Sequence, residues 1–181
     1  MNTLPVRRRT AGLTLVELTV AVTVMVIAIC ATASTVVTTS ALNQSSHETA
    51  VARKAAETMI ETLRNTPFQE VFARYNADPG DDPGGPNTAP GAGFAVGGLT
   101  VAPGAPGGVA GAILLPSAGP GLFENVDDPT LGMPRDLNAD AMVNAVDRAA
   151  DYVVLPVTVR VSWVGKSGPR TVEYRTLLSE L

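Results

Sequence analysis

Oxygen-bearing side chains are concentrated in a twelve-residue window between residues 136 and 147. Asp or Asn occupies positions 1, 3, 5, 9 and 12 of this window, as Asp136, Asn138, Asp140, Asn144 and Asp147. A hard divalent cation takes roughly six or more oxygen ligands, and it prefers carboxylates and side-chain amides. The spacing therefore makes this window a candidate cation-binding loop.

The window resembles the calcium loop of dockerin repeats, a relative of the EF-hand loop. The resemblance implies that the main-chain carbonyl of Met142, at position 7, is a further ligand for Ca2+. Ala141 departs from the family, because glycine normally makes the sharp turn there and a left-handed alanine costs about 1 kcal/mol. The alternative is a polar connection in which Asp or Asn caps a short helix from about Ala139 to Ala149. Both interpretations fit the sequence.

Residues for the common enzyme mechanisms are missing from the sequence. His47 is the only histidine, so a Ser-His-Asp or Cys-His arrangement cannot be expected in the exported part of the chain. Cys30 is the only cysteine, and there is no CxxC or HExxH zinc pattern. These absences do not exclude a catalytic carboxylate pair that is assembled from residues distant in sequence. We expect the protein not to be an enzyme.

Glu17 is the only charged side chain in a long apolar stretch near the N-terminus. Three arginines, Arg7–Arg9, precede Gly12, and the twenty residues from Leu18 to Val37 are uncharged. That length suits a helix that crosses ~30 Å of hydrocarbon. Arginines favour retention of the N-terminus in the cytoplasm. We predict a single-pass anchor in the cytoplasmic (inner) membrane, with a cytoplasmic N-terminus and an extracytoplasmic head.

The residues around Glu17 resemble the cleavage and methylation signature of type IV prepilins. The matching residues are Gly12, Leu13, Thr14, Leu15, Val16 and Glu17. The resemblance implies that prepilin peptidase removes residues 1–12 by cutting between Gly12 and Leu13, and then methylates the amine of Leu13. It also implies that Glu17 pairs with the amine of a neighbouring subunit during assembly. Leu13 is a departure, since the family usually has phenylalanine there.

Three other interpretations of this segment fit less well. An isolated Glu17 could reach the cytoplasmic headgroups, but a carboxylate in a membrane segment costs roughly 2.5 kcal/mol or more, so it usually has a partner. A secretory signal cut after Ala33 would not carry a glutamate in its apolar core or continue to Val37. A lipoprotein anchor at Cys30 would need a small residue where Ile29 stands.

One long helix is predicted from residue 13 to residue 65, because no glycine or proline occurs between Gly12 and Pro67. Its first half is the transmembrane segment, in which the Ser/Thr-rich residues 32–40 are a possible place for bending or local unwinding. Its second half is amphipathic. The apolar stripe of that half comprises Ala52, Ala55, Ala56, Met59, Ile60 and Leu63.

The rest of the chain, residues 66–181, is predicted to be a globular head. Residues 76–121 contain 13 Gly and 8 Pro, which indicates long loops, with two short strands at Phe94–Val101 and Ala110–Leu115. Apolar and polar residues alternate in residues 152–178, which predicts a β-hairpin. We predict an α+β, pilin-like fold: a long N-terminal helix, Gly/Pro-rich loops and a small antiparallel sheet. Pro156 indicates an edge or a bulge.

The charge balance limits the partners of the exported part. The chain has a net charge of −4, and without Arg7–Arg9 it has 10 Lys and Arg against 17 Asp and Glu. An acidic head argues against nucleic acid as a partner.

The resemblance implies a minor pilin or type II secretion pseudopilin, whose partners are prepilin peptidase, the membrane and other pilins. Such a subunit assembles through its N-terminal helix into a pilus or pseudopilus. The alternative is a membrane-tethered binding module that does not polymerise. A pilus, a secretion pseudopilus and a DNA-uptake fibre are not distinguished by the sequence.

Overall fold

The computed structural model describes residues 14–118 and 120–180. The chain divides into two compact units, with the boundary between Asn43 and Gln44. Helix α1, Leu15–Asn65, contributes residues to both units. The α+β, pilin-like fold class is confirmed, since this long apolar helix is followed by a four-stranded antiparallel sheet.

The first unit, in its described part, is the N-terminal half of α1. This half is long and apolar enough to cross a membrane, and its most apolar window is not buried against any described residue. Hydroxyl groups in residues 32–40 donate to carbonyls within the helix, for example from Thr35 to Ala31 and from Thr38 to Ser34. The helix runs without a break from Leu15 to Asn65, so the local unwinding considered from the sequence does not occur.

In the second unit, the predicted apolar stripe of α1 faces the core. Ala52, Ala56 and Leu63 are buried, and Met59 and Ile60 are packed against the same core. The charged residues Arg53, Lys54, Glu57, Glu61 and Arg64 are exposed. Helix α2, Phe68–Tyr75, follows Pro67 and buries Val71 and Phe72. The amphipathic pattern thus places the correct face of α1 on the head.

The second unit also contains two sheets, which are connected by long loops. Their strands are β1 (Gly93–Phe94), β2 (Gly111–Leu114), β3 (Ser117–Ala118), β4 (Gly121–Leu122), β5 (Val154–Gly165) and β6 (Gly168–Ser179). The main sheet has the order β1-β2-β5-β6 with antiparallel neighbours, and β3 pairs with β4. A single turn of 3-10 helix, Pro106–Gly108, precedes β2.

The hairpin of β5 and β6 is the centre of the head. Val157, Val159, Val161 and Trp163 are buried on one face of β5, as the alternation in the sequence predicts. The strands pair from Val154–Ser179 to Gly165–Gly168, which leaves a two-residue turn. Pro156 lies beyond the end of β2, because β2 pairs only with residues 158–161 of β5. The missing N–H of Pro156 therefore disrupts no bond to β2.

Polar contacts join the turn end of this hairpin to α1. The indole N–H of Trp163 donates to Glu48 at 3.2 Å, and Arg170 donates to the hydroxyl of Ser45. Gly165 lies against the same carboxylate, since a Cβ at that position would come within 2.8 Å of the Glu48 oxygen.

The predicted strand Phe94–Val101 is wrong in its length. Only Gly93–Phe94 is a strand, and Val101 forms an isolated bridge with Trp163. The physical reason lies in Gly97 and Gly98, because Gly98 takes a φ of +82° that a regular strand cannot accommodate. The second predicted strand, Ala110–Leu115, corresponds to β2.

Candidate functional site

The window of residues 136–147 forms an irregular loop without a helix. Its Asp and Asn side chains accept hydrogen bonds from main-chain N–H groups a few residues later. Asp136 accepts from Ala139 at 2.7 Å and from Ala141 at 2.8 Å, and Asp140 accepts from Met142 at 2.8 Å. These local bonds compete with helix formation, so the alternative of a capped helix from Ala139 to Ala149 is wrong.

Two alanines in this loop adopt the left-handed conformation. The φ of Ala139 is +61° and that of Ala141 is +66°. Ala141 thus takes the backbone conformation for which glycine is normally used at this position of the resembled calcium loop. The loop has the turn that the spacing of its carboxylates requires, at the cost of backbone strain.

Glu124 is the residue of this site that sequence reasoning missed. It follows β4, its side chain is fully buried, and it lies inside the loop. One carboxylate oxygen accepts from the N–H of Leu137 at 2.9 Å, and the other accepts from the N–H of Asn144 at 3.2 Å. Oxygens of Glu124, Asp136 and Asp140 all lie within 4.8 Å of one another. We call these three residues the carboxylate cluster.

Arg148 neutralises part of this charge. Its guanidinium is 2.9 Å from Asp140, 3.2 Å from Asp151 and 3.5 Å from Glu124. Burial disfavours the charged form of Arg148, but the three carboxylates outweigh burial and raise its pKa. Hydrogen bonding from the N–H of Met142 is the main cause of the lowered pKa of Asp140, and Asn138 and Arg148 add to it.

The other predicted ligands have different contacts. Asp147 accepts from the N–H groups of Leu122 at 2.9 Å and Ala149 at 3.0 Å, so it fastens the loop to β4. Asn138 donates to Asp140 and Asp151, and Asn144 accepts from Val146. Met142 is exposed. The structure therefore brings Asp136 and Asp140 together with Glu124, and Asp147 lies outside the carboxylate cluster.

The cluster fits a hard cation by its chemistry. It contains three carboxylates, of which Glu124 and Asp140 also contact Arg148, and oxygen ligands of this kind suit Ca2+. The cluster differs from the sequence expectation, because Glu124 is its third carboxylate and Asp147 is not part of it. No local motif could have indicated this, since Glu124 lies twelve residues before the window begins.

The residues predicted for processing and assembly lie at the other end of the chain. Gly12 and Leu13 are outside the described residues. Glu17 lies in the first turn of α1, and its N–H donates to the hydroxyl of Thr14 at 3.2 Å. Its neighbours Val16 and Leu18 are 68% and 57% exposed, so the Glu17 carboxylate lies on an apolar helix surface.

Comparison with known proteins adds no relative. No protein-family model, curated protein or solved structure matches this chain. The functional conclusions therefore rest on the geometry of α1, on the architecture of the head and on the carboxylate cluster.

Proposed function

We propose that the protein is a subunit of a membrane-anchored filament, of the kind represented by minor type IV pilins and type II secretion pseudopilins. The observation that carries this proposal is α1, a 51-residue helix. Its N-terminal half is exposed and apolar, and its C-terminal half packs on an antiparallel sheet. This combination is pilin-like, and it is compatible with a structural role.

The exposed half of α1 suits two environments in succession. In the membrane, lipid covers its apolar side chains, and in a filament the helices of neighbouring subunits would do so. Glu17 is the only charged residue between Arg9 and His47. A carboxylate in lipid is stabilised by a cation, so pairing with the free amine of a neighbour would favour assembly in register.

Processing is the first test of this proposal. Prepilin peptidase would cut between Gly12 and Leu13, leaving a mature chain that begins with N-methylated Leu13. Mass spectrometry of the protein purified from membranes measures the start of the chain directly. Gly12→Val should leave the precursor uncut, because the peptidase needs a small residue there, while Thr3→Val in the same leader should be processed normally.

The competing function is a membrane-tethered binding module, which would keep residues 1–12. An intact Met1, or a chain that starts at Ser34 after cleavage by signal peptidase, would contradict the filament proposal. A mature chain that starts at Leu13 would support a location in the inner membrane with an extracytoplasmic head.

The carboxylate cluster supports a second proposal, calcium binding by the head. Glu124, Asp136 and Asp140 would supply the charged ligands, and Ca2+ would compensate their mutual repulsion. A ligand that binds only the folded state raises stability by about 1.4 kcal/mol at ten times its Kd. The full chain in detergent micelles should therefore melt at a higher temperature in about 1 mM calcium than in chelator.

Two variants separate specific binding from a general salt effect. Asp136→Asn should abolish the calcium-dependent rise, because it removes a charged ligand of the cluster. Glu173→Gln, which removes a carboxylate outside the cluster, should retain the rise. Equal melting temperatures with calcium and with chelator would leave Arg148 as the only cation of this loop.

A further inference from the structure

A separate cavity of about 330 Å3 lies between residues 129–135 and the strands β5 and β6. It is distinct from the carboxylate cluster, and none of its lining residues is Asp or Glu. Its lining includes Thr158, Arg135 and Arg175, together with the aliphatic side chains of Leu131 and Leu177. The cavity has the size of a small-ligand site.

One cross-strand pair of the hairpin lies at this cavity, and its two side chains do not bond each other as those of neighbouring pairs do. Arg160 pairs with Glu173 and bonds it at 2.6 Å, and the hydroxyl of Ser162 bonds that of Thr171 at 3.0 Å. The next pair in the same row is Thr158 and Arg175. Thr158 is fully buried, yet its hydroxyl has no hydrogen-bond partner among the described residues. Buried hydroxyl groups are rarely left in this state.

The two arginines at the cavity are only weakly engaged by the protein. Arg175 reaches Glu173 at 3.4 Å, but Arg160 already holds that carboxylate. Arg135 donates to the carbonyl of Gly132 at 3.5 Å, and no carboxylate within the described part of the chain forms an ion pair with it.

Asp128 directly precedes Pro129 of the cavity lining, but its carboxylate is engaged within its own loop. Asp128 accepts from the N–H of Thr130 at 2.8 Å and from its hydroxyl at 2.6 Å, and this bonding lowers the pKa of Asp128. Two guanidinium groups and one buried hydroxyl thus belong to residues that line the cavity, and no carboxylate among the described residues satisfies all three.

We propose that this cavity binds a carboxylate carried on a short aliphatic body. Arginine forms paired, charge-assisted hydrogen bonds with a carboxylate, and the leucine side chains would contact the aliphatic part. The hydroxyl of Thr158 would donate to the same group. The ligand is either a free aliphatic acid or a glutamate side chain of a partner protein, since both present the same chemistry. This site is independent of filament assembly and of calcium.

Calorimetric titration of the full chain in detergent micelles tests the site with two probes. Glutarate represents the free acid, and the blocked tripeptide acetyl-Ala-Glu-Ala-amide represents the side chain of a partner. Binding of either probe is expected. Tighter binding of glutarate assigns the site to a free acid, and tighter binding of the tripeptide assigns it to a partner protein.

Variants connect the binding to the named groups. Arg135→Gln and Arg175→Gln should each raise the Kd of the tighter-binding probe by roughly tenfold or more. Arg53→Gln, which removes the same charge from an exposed position of α1, should leave its Kd unchanged.

Thr158→Val distinguishes a role of the hydroxyl in binding from a role in folding. It should weaken binding without lowering the melting temperature of the free protein, because it removes an unpartnered hydroxyl at nearly constant volume. Absence of binding by both probes at millimolar concentration would overturn the proposal. So would binding that survives both arginine substitutions.

Discussion

Glu17 and Glu124 are carboxylates in two regions that differ in how the negative charge is compensated. Glu124 is fully buried in the head, where two N–H groups and Arg148 compensate it. Glu17 lies on an exposed apolar helix surface, and no described residue forms an ion pair with it. The chain itself thus provides partners for Glu124, whereas no described residue provides one for Glu17. A carboxylate is therefore held by the fold in one region and left exposed on the helix in the other.

Among the variants that test this comparison, Glu124→Gln is expected to have the largest effect, on the free energy of unfolding. The amide leaves Arg148 buried with less compensation, so the free energy of unfolding should fall by about 3 kcal/mol. Urea denaturation followed by the fluorescence of Trp163, the only tryptophan, measures this change. Glu173→Gln breaks the half-exposed pair with Arg160 and should cost less than about 1 kcal/mol. Equal losses in the two variants would remove the distinction between a buried and a surface carboxylate.

The second effect concerns Glu17. Glu17→Val should preserve membrane insertion or improve it, because a charge that is costly in lipid is removed. Crosslinking to partner subunits in the membrane should fall by roughly tenfold, which corresponds to about 1.4 kcal/mol of pairing energy. Thr19→Val on the same exposed helix is the matched control and should crosslink normally. Unchanged crosslinking of Glu17→Val would contradict the role of Glu17 in assembly.

A smaller effect is expected in the loop that surrounds Glu124. Ala141→Gly should raise the free energy of unfolding by about 1 kcal/mol, because glycine adopts a φ of +66° without strain. Ala145→Gly in the same loop should lower stability, since Ala145 has no positive φ and the unfolded chain gains freedom. The same urea titration measures both variants, and a gain for both would show that the loop is only loosely held.

The smallest effect is a pH dependence from Asp140. Its pKa in the folded protein is lowered from the ordinary 3.8, so the folded state binds this proton less readily than the unfolded state. The stabilisation is present above pH 3.8 and is lost as the pH falls through the lowered pKa of the folded state. Asp140→Asn should make the decline of stability in acid shallower. An unchanged acid limb would exclude a contribution of Asp140.

Regular elements could be predicted because their determinants are close in sequence. The glycine-free stretch up to Asn65 specifies α1, and the alternation from Val157 to Trp163 specifies β5 and its buried face. The glycine-rich loops were harder, because Gly98 ends an apolar stretch that resembles a strand by composition alone.

The candidate site could be predicted only in part. Asp136 and Asp140 could be predicted from their spacing, and so could the strained turn at Ala141. Glu124 and Arg148 were not, because their positions depend on how β4 and the loop pack together rather than on any local pattern. The position of Thr158 opposite Arg175 likewise depends on the register of the hairpin.

The contacts between α1 and the hairpin have a mechanical consequence. Ser45 and Glu48 hold the turn end of the hairpin, while Arg64, farther along the helix, approaches Thr176 near the other end at 3.4 Å. The helix therefore runs lengthwise along β6. A pull on the helix along its axis therefore loads its contacts with the hairpin in shear, so that the contacts at Ser45, Glu48 and Arg64 share the force instead of breaking one after another.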